Sequence, residues 1–249
     1  MKVKFPIYIP STGRAGALKT PRLLDKFGLE YYVVVERDEG EEYKRLYPNA
    51  HVLLLPDSNY GTSSVARNYC IQHSKIFDYP AHWQLDDDIS NVFCHNKAKV
   101  VHRDLVKIMT ELEWMMVARP ICAMVGIKVN NFLKQVTKSI SVNSSITSFF
   151  LVRNTSMKFR GTMLVDMDYQ LQALKKGYIL LRRDDFAFSF APPGKQPGGY
   201  SHIYNDDKRR IAAIKEFLKN NPDVDPTINR NSAGYLVLKN ARNIWKKYK

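Results

Sequence analysis

Short runs of β-branched and aromatic residues alternate with helix-like segments along the first third of the chain, and this alternation restricts the fold more than any other feature. Phe5 to Ile9, Tyr31 to Val35, His51 to Leu55 and Trp83 to Leu85 read as strands. Between the first two, Thr20-Pro21 places an N-cap before a proline at the first helical position, and Gly28 stops the helix. Asp38 with Glu41 has the spacing of a capping box for a helix ending near Tyr47, before Pro48. Ser63 or Ser64 opens a third helix through Lys75. This βαβαβαβ rhythm predicts a mainly parallel, Rossmann-like sheet flanked by helices, with right-handed crossovers.

Further along, Leu105, Ile108, Met109, Leu112, Met115 and Met116 recur at helical spacing and predict a helix from Asp104 to Ala118. Ile121 to Lys128 and Ser148 to Arg153 read as strands, with a polar loop or loose hairpin over 130–147 between them. Asp166 to Lys176 is a helix closed by Gly177, followed by strands at Tyr178 to Leu181 and Phe186 to Phe190. Residues 191–199 are too rich in proline and glycine for regular structure. Asp206 to Lys219 is a last amphipathic helix, and the basic tail beyond it carries one aromatic anchor, Trp245. The expected organisation is a catalytic domain over 1–204, in halves 1–90 and 91–204, with a basic helical extension over 205–249 packed on it.

At 249 residues the chain can bury the core of one large α/β domain. No apolar run approaches the roughly 20 residues of a membrane span, and the polar start Met1 to Pro6 is unlike a signal peptide. Three cysteines, Cys70, Cys94 and Cys122, have no metal-ligand spacing and suit a reducing cytoplasm. A net charge of +14 predicts attraction to a polyanion, with nucleic acid as first candidate and an anionic membrane surface as second.

The chemistry centres on Asp86-Asp87-Asp88, directly behind the apolar run ending at Leu85. Three successive carboxylates at a buried strand end repel one another and call for a cation. Ligands of such sheets gather at strand carboxyl ends. A divalent ion there can hold a diphosphate, with Mg²⁺ or Mn²⁺ suited to oxygen ligands. The turn Pro10-Ser11-Thr12-Gly13-Arg14 offers backbone amides and a planar guanidinium to phosphate. Glu36 ends a hydrophobic strand, either as an acceptor for a base or ribose or as a solvated strand end.

The order of these motifs resembles the glycosyltransferase A fold. More narrowly, "IPSTGRAG…YYVVVERDEGEEY…LPDSNYGTSSVARNYC…WQLDDDI" resembles the TET-associated glycosyltransferase family over residues 5 to 190. That family decorates hydroxymethylated pyrimidines in DNA, in phages and in eukaryotic lineages that include base J glucosyltransferases. The resemblance implies a nucleotide-sugar donor, UDP-linked, met by Pro10, Ser11, Thr12, Gly13, Arg14, Glu36, Arg67, Asn68, Gln84, Asp87 and Lys195. It implies that Asp86 and Asp88 serve ribose and metal, with Asp88 the preferred metal ligand, and that His202 is either a late further ligand or a surface loop histidine. Arg67 and Asn68 have a structural alternative, a salt bridge and a backbone-capping amide. Asp166 matches the general base of inverting members of the fold, although Val165 stands where a glutamate is usual; its alternative is simple helix capping. Asp168 takes the role of base if the register is shifted. A phage-infected bacterial cytoplasm and a monomeric enzyme complete the expectation.

The acceptor surface is sought among Lys128, Lys134, Lys138, Arg153, Lys158 and Arg160, with Phe132, Phe149, Phe150 and Phe159 interleaved. A duplex target would present a flipped base. Two other readings stand beside the DNA glycosyltransferase. One is the same fold acting on protein, polysaccharide or lipid, and the other is a non-catalytic DNA-binding module.

Overall fold

The structure is a computed structural model that describes residues 2–56, 62–96, 99–102, 104–129, 138–190, 198–199, 201–232, 234–239 and 241–248. In chain order the elements are β1 (Ile7–Pro10), α1 (Thr20–Asp25), β2 (Tyr32–Val35), α2 (Gly40–Leu46), β3 (His51–Leu54), α3 (Ser63–Ile76), β4 (Ala81–Leu85), β5 (Asn91–Asn96), β6 (Lys99–His102), α4 (Leu105–Val117), β7 (Cys122–Val129), β8 (Ile140–Val142), β9 (Phe149–Arg153), α5 (Val165–Lys175), β10 (Ile179–Ser189), α6 (Ser201–Tyr204), α7 (Asp207–Asn220), β11 (Ile228–Arg230) and β12 (Leu236–Leu238).

One ten-stranded sheet has the order β3-β2-β1-β4-β9-β7-β10-β5-β6, with β8 also paired to β10. Strands β1 to β4 are mutually parallel, β9 inserts antiparallel beside β4, and β7 and β10 run parallel to each other. Strands β1 to β4, β7, β10 and β6 therefore point one way, and β9, β5 and β8 the other. This is the mostly parallel, helix-flanked α/β sheet that the resemblance implied, a glycosyltransferase A fold. β4 is buried at every residue, as a central strand requires. No helix among the described residues is long and apolar enough to cross a membrane.

Local chemistry explains most element ends. Asp104 caps α4 by accepting from Val106 N and Lys107 N, and Asp206 caps α7 in the same way. Glu113, buried on α4, accepts from Lys4 N, Phe5 N and Trp83 Nε1, so its charge is fully engaged in joining α4 to β1 and β4.

Several expectations are corrected. The Asp38–Glu41 capping box does not form. A 3₁₀ turn over Arg37–Glu39 leads into α2, and Glu39 accepts instead from Gly13 N. Thr20 is the first residue of α1 rather than its cap, and its hydroxyl points to the acidic turn. The two strands expected over 178–190 are one, β10. It keeps β7 as partner on both sides of an irregularity between Arg183 and Ala187, while its other edge changes from β8 to β5. Phe149, Phe150 and Phe159 are core residues with no face for stacking a base. The basic tail is not helical throughout: β11 and β12 form a small hairpin. Ile214, Phe217, Leu238 and Trp245 pack into the same apolar cluster as Leu171 and Leu174 of α5.

Candidate active site

The carboxyl ends of β1 and β4, the start of α3 and the start of α5 surround a cleft of about 360 Å³. The acidic turn lies on its floor and is fixed from several directions. Asp86 N donates to Ser148 O at 2.8 Å, and Lys19 N and Thr20 N both donate to Asp87 O. The fully buried Thr20 hydroxyl donates to Asp86 O and accepts from Ile89 N. The turn is thus held by backbone bonds and one hydroxyl, which leaves the carboxylates to their own partners.

Those partners differ. Asp86 Oδ1 accepts from Arg67 Nη2 at 2.8 Å. Asp87 is buried and accepts from Arg14 Nη1 at 2.8 Å and Ser11 Oγ at 2.7 Å. Burial still raises its pKa, against the pull of Arg14. Asp88 has no side-chain partner among the described residues. Burial first, then the charges of Asp86 and Asp87, push it up to about 7. Arg67 and Arg14 therefore compensate Asp86 and Asp87, while Asp88 still feels the charge of both.

Arg67 is the hub. It is buried on α3 under the rings of Phe150 and Phe159, with Cζ 5.2 and 5.7 Å from their centroids. Nη1 donates to Gln84 Oε1 at 3.1 Å, and Nε lies 3.3 Å from Asp166 Oδ1. Gln84, expected to touch the donor, is wholly buried. It binds Arg67 at both ends, accepting from the guanidinium and donating to Arg67 O.

Asp166 faces the same cleft from the first turn of α5. Its Oδ2 accepts from Thr147 Oγ1 at 3.3 Å, and its Oδ1 accepts no hydrogen bond among the described residues. Burial raises its pKa, Arg67 opposes this and Asp86 adds to it. Two residues on, Asp168 points to the far side of the helix. It is buried and accepts from Arg160 Nε and Nη2, Gln172 Nε2 and Asn221 Nδ2. With every lone-pair direction engaged in packing α5 against α7, Asp168 is not placed to act as a base.

Other expected residues fall as follows. Pro10, Ser11, Thr12 and Arg14 line the cleft. Gly13, with φ +64°, forms the turn beneath them. Glu36 is buried at the end of β2 and does not line the cleft. Asn68 brackets the Phe159 backbone, donating to its O and accepting from its N at 2.9 Å each, which is the structural alternative. His202 is exposed, with its Nδ1 3.0 Å from Gly199 O, and does not join the aspartates in a three-ligand group among the described residues. Arg153 donates to Cys122 O and Met116 O, and Arg160, 41% exposed, is paired with Asp168. Lys138 and Lys158 are exposed and Lys128 half-buried. Lys134, Phe132 and Lys195 lie outside the described residues.

Sequence reasoning missed three contributors. The segment Ser145–Ser148 forms one wall, with Ser148 at φ +60°. Leu164, at φ +60°, sits directly before α5 in a conformation that bulky side chains rarely adopt. Tyr204 lines the cleft; burial raises its pKa, Arg210 opposes this, and the charges of Asp86 and Asp166 add to the rise. The buried Thr-Pro at 20–21 was legible as a helix start but gave no sign that its hydroxyl serves the acidic turn.

Asp86 and Asp88 are the carboxylates open to a cation. A hard divalent ion that keeps most of its coordination for water and phosphate needs only one or two protein carboxylates, so this sparse oxygen set fits Mg²⁺ or Mn²⁺.

The acidic cleft lies at the carboxyl ends of the strands, where α/β sheets of this kind bind their ligands. The sequence profile of the TET-associated glycosyltransferase family matches residues 5–190, and the chain belongs to that family. No curated protein matches the chain significantly in sequence. Among solved structures, GalNAc-T7 with UDP, GalNAc and Mn²⁺ is 10% identical, with a TM-score of 0.48, over 97% of this chain and 54% of the other. A mannose-1-phosphate geranyltransferase of Thermus thermophilus is 14% identical, with a TM-score of 0.36, over 75% of this chain and 57% of the other. An inositol-1-phosphate CTP transferase of T. maritima is 10% identical, with a TM-score of 0.44, over 82% and 94%. The chain thus spans just over half the length of the first two.

Proposed function

We propose that the enzyme moves a sugar from a UDP-linked donor to the hydroxyl of a 5-hydroxymethylpyrimidine in DNA, with inversion at the anomeric carbon. The observation that carries the chemistry is the shared cleft. Arg67 joins Asp86, on the acidic turn, to Asp166, whose Oδ1 faces the guanidinium and accepts no hydrogen bond among the described residues. A divalent ion bound by Asp86 and Asp88 supplies charge neutralisation for a departing diphosphate.

The protein's own groups do the rest. Asp166, with a basicity raised by burial, takes the proton of the acceptor hydroxyl. The hydroxyl oxygen bonds to the anomeric carbon as the bond to the diphosphate oxygen breaks. The electron pair leaves with the nucleoside diphosphate, and a single displacement inverts the centre. Arg14, bonded to Asp87, and Thr12 line the same cleft and serve the donor side. His202 and Lys195 remain proposals for a donor-covering segment.

DNA as acceptor is supported by the family and by the charge of +14. We place the catalytic domain over 1–204, with 205–249 as its extension, acting as a monomer in the cytoplasm of an infected cell. The test is incubation with hydroxymethylcytosine- or hydroxymethyluracil-containing DNA, a panel of nucleotide sugars and Mn²⁺. Mass spectrometry of the digested DNA should show a nucleoside heavier by one sugar. Donor hydrolysis at a rate indifferent to DNA, with no labelled nucleoside, would move the acceptor to protein, polysaccharide or lipid.

A further inference from the structure

A second cavity, of about 350 Å³, adjoins the cleft and shares Met163, Leu164, Met167 and Tyr204 with it. Its far wall comes from the C-terminal segment, through Ile214 of α7 and Leu236–Leu238 of β12. The lining is mostly carbon, with one cation set into it. Arg210 is 4% exposed. Its Cζ lies 4.4 Å from the Tyr204 ring centroid and 5.0 Å from that of Tyr235, and Nε donates to Leu236 O. The Nη1 atom is buried and has no hydrogen-bond partner among the described residues. A buried guanidinium donor left unmatched at a cavity wall is costly to the fold, and such exceptions call for an explanation. Asp207, the nearest carboxylate to act on Arg210, is ion-paired with Arg230.

We infer that this cavity seats the pyrimidine ring of the acceptor, with Arg210 Nη1 donating to a ring carbonyl. The inference rests on the acceptor proposed above and says where and how its base is recognised. The volume is at the small end of ligand sites and suits one flat ring better than an oligosaccharide. Carbon walls match the ring faces, and Tyr204 and Tyr235, packed edge to face at 5.6 Å, both lie against the Arg210 guanidinium and fix its position. A ring seated there has the shared rim of Met163, Met167 and Tyr204 between it and Asp166, so a substituent on the ring carbon facing that rim reaches the cleft. Leu164, held at φ +60° between the two spaces, carries backbone strain of the kind found at ligand clamps. Recognition would thus use a part of the chain beyond the 5–190 that the family profile matches.

The test uses the full chain without donor or metal, with free 5-hydroxymethyl-2′-deoxycytidine and 5-hydroxymethyl-2′-deoxyuridine as probes. Saturation-transfer NMR should show binding to the wild type. R210M should weaken it by about tenfold or more, with donor affinity and DNA-free donor hydrolysis unchanged. V237W, on the half-buried hairpin, fills the cavity while keeping Arg210 and should also abolish probe binding, which keeps the inference testable if R210M does not fold. Competition of the probe by inorganic phosphate would make the cavity an anion seat and overturn the inference. So would equal acceptor KM for wild type, R210M and V237W in an enzyme that does glycosylate hydroxymethylated DNA. Conversely, Arg210-dependent nucleoside binding by a protein that glycosylates no DNA would keep the ring seat and overturn the DNA reading alone.

Discussion

The Arg67 guanidinium donates to the Asp86 carboxylate at 2.8 Å, from a position that is itself buried. The same group reaches Asp166 at 3.3 Å, so one cation compensates one carboxylate on the acidic turn and one on α5. Removing it leaves both without their positive partner in a desolvated site. Arg67→Gln should lower unfolding stability by about 3–5 kcal/mol, the usual effect of breaking a buried pair from one side. Denaturant titration measures that directly. A loss under about 1 kcal/mol would mean that water reaches the carboxylates and screens them.

Asp166 and Asp168 lie two residues apart and should respond in opposite ways. Asp166→Asn should cut sugar transfer by roughly 10²–10⁴-fold, the range of a lost general base. It should leave thermal stability unchanged or higher, because burial already disfavours its charge. Asp168→Asn should keep the cleft but lose about 2–3 kcal/mol of stability. That is less than for a fully buried pair, since the Arg160 side chain is 41% exposed and can be hydrated. Stability curves together with turnover of the two variants decide the matter; if Asp168→Asn is the stable, inactive one, the base is misassigned.

The pH dependence of stability follows from Asp88, whose folded pKa of about 7 lies above the roughly 3.9 of an unfolded aspartate. Between those values the folded chain binds more protons than the unfolded one. Stability therefore falls as pH rises from about 4 through 7, and Asp87 and Asp166 add in the same direction. In metal-free protein, Asp88→Asn should be neutral near pH 4 and raise Tm at pH 8 by roughly 2–6 °C, after discounting for partial solvent access. Mn²⁺ should stabilise the wild type at pH 8 and not the variant. A wild-type Tm that is flat from pH 4 to 8 would contradict the burial of Asp88.

The sequence carried the β1–β4 half well, because each of those strands is a short apolar run bounded by proline, glycine or acidic residues. It carried the second half less well. Strands β5 and β6 follow the acidic turn with no apolar alternation strong enough to announce them, and β10 was split because Arg182 to Asp185 interrupt its apolar run. In the structure those four pair with one another along the strand, Arg182 with Asp184 and Arg183 with Asp185, so the polar stretch stays in the sheet. The aspartates of the site were legible as residue types at strand and helix ends. Their division of labour was not, since whether a carboxylate is matched depends on arginines 19 to 73 positions away or on the opposite face of α5. Arg153 and Arg160 read as surface cations for the same reason: their partners, the Cys122 and Met116 carbonyls and Asp168, are set by tertiary packing.

Gly198 and Gly199 make a further claim on the donor side. Both have positive φ, +73° and +53°, and they lie against the first turn of the site. Gly199 N donates to Thr12 O at 3.0 Å. A Cβ at Gly198 would fall 2.3 Å from Gly13 O and 2.8 Å from Arg14 Cγ, and one at Gly199 would fall 2.8 Å from Arg14 Nη2. Backbone cannot yield as a side-chain tip can, so Gly198→Ala must displace the Thr12–Arg14 turn, whereas Gly199→Ala mainly turns the guanidinium. Because Arg14 is bonded to Asp87, the displacement is transmitted to the acidic turn. Gly198→Ala should raise donor KM by about tenfold with acceptor KM unchanged, the range expected when about 1.4 kcal/mol of donor binding is lost. Gly199→Ala should have a smaller effect in the same direction. Gly16, where an added Cβ would meet no atom within 4 Å and φ is not positive, supplies the control: Gly16→Ala should match the wild type. Steady-state kinetics with donor and acceptor varied in turn separate these outcomes, and a change in acceptor KM alone would show that the Gly198–Gly199 segment serves the other substrate.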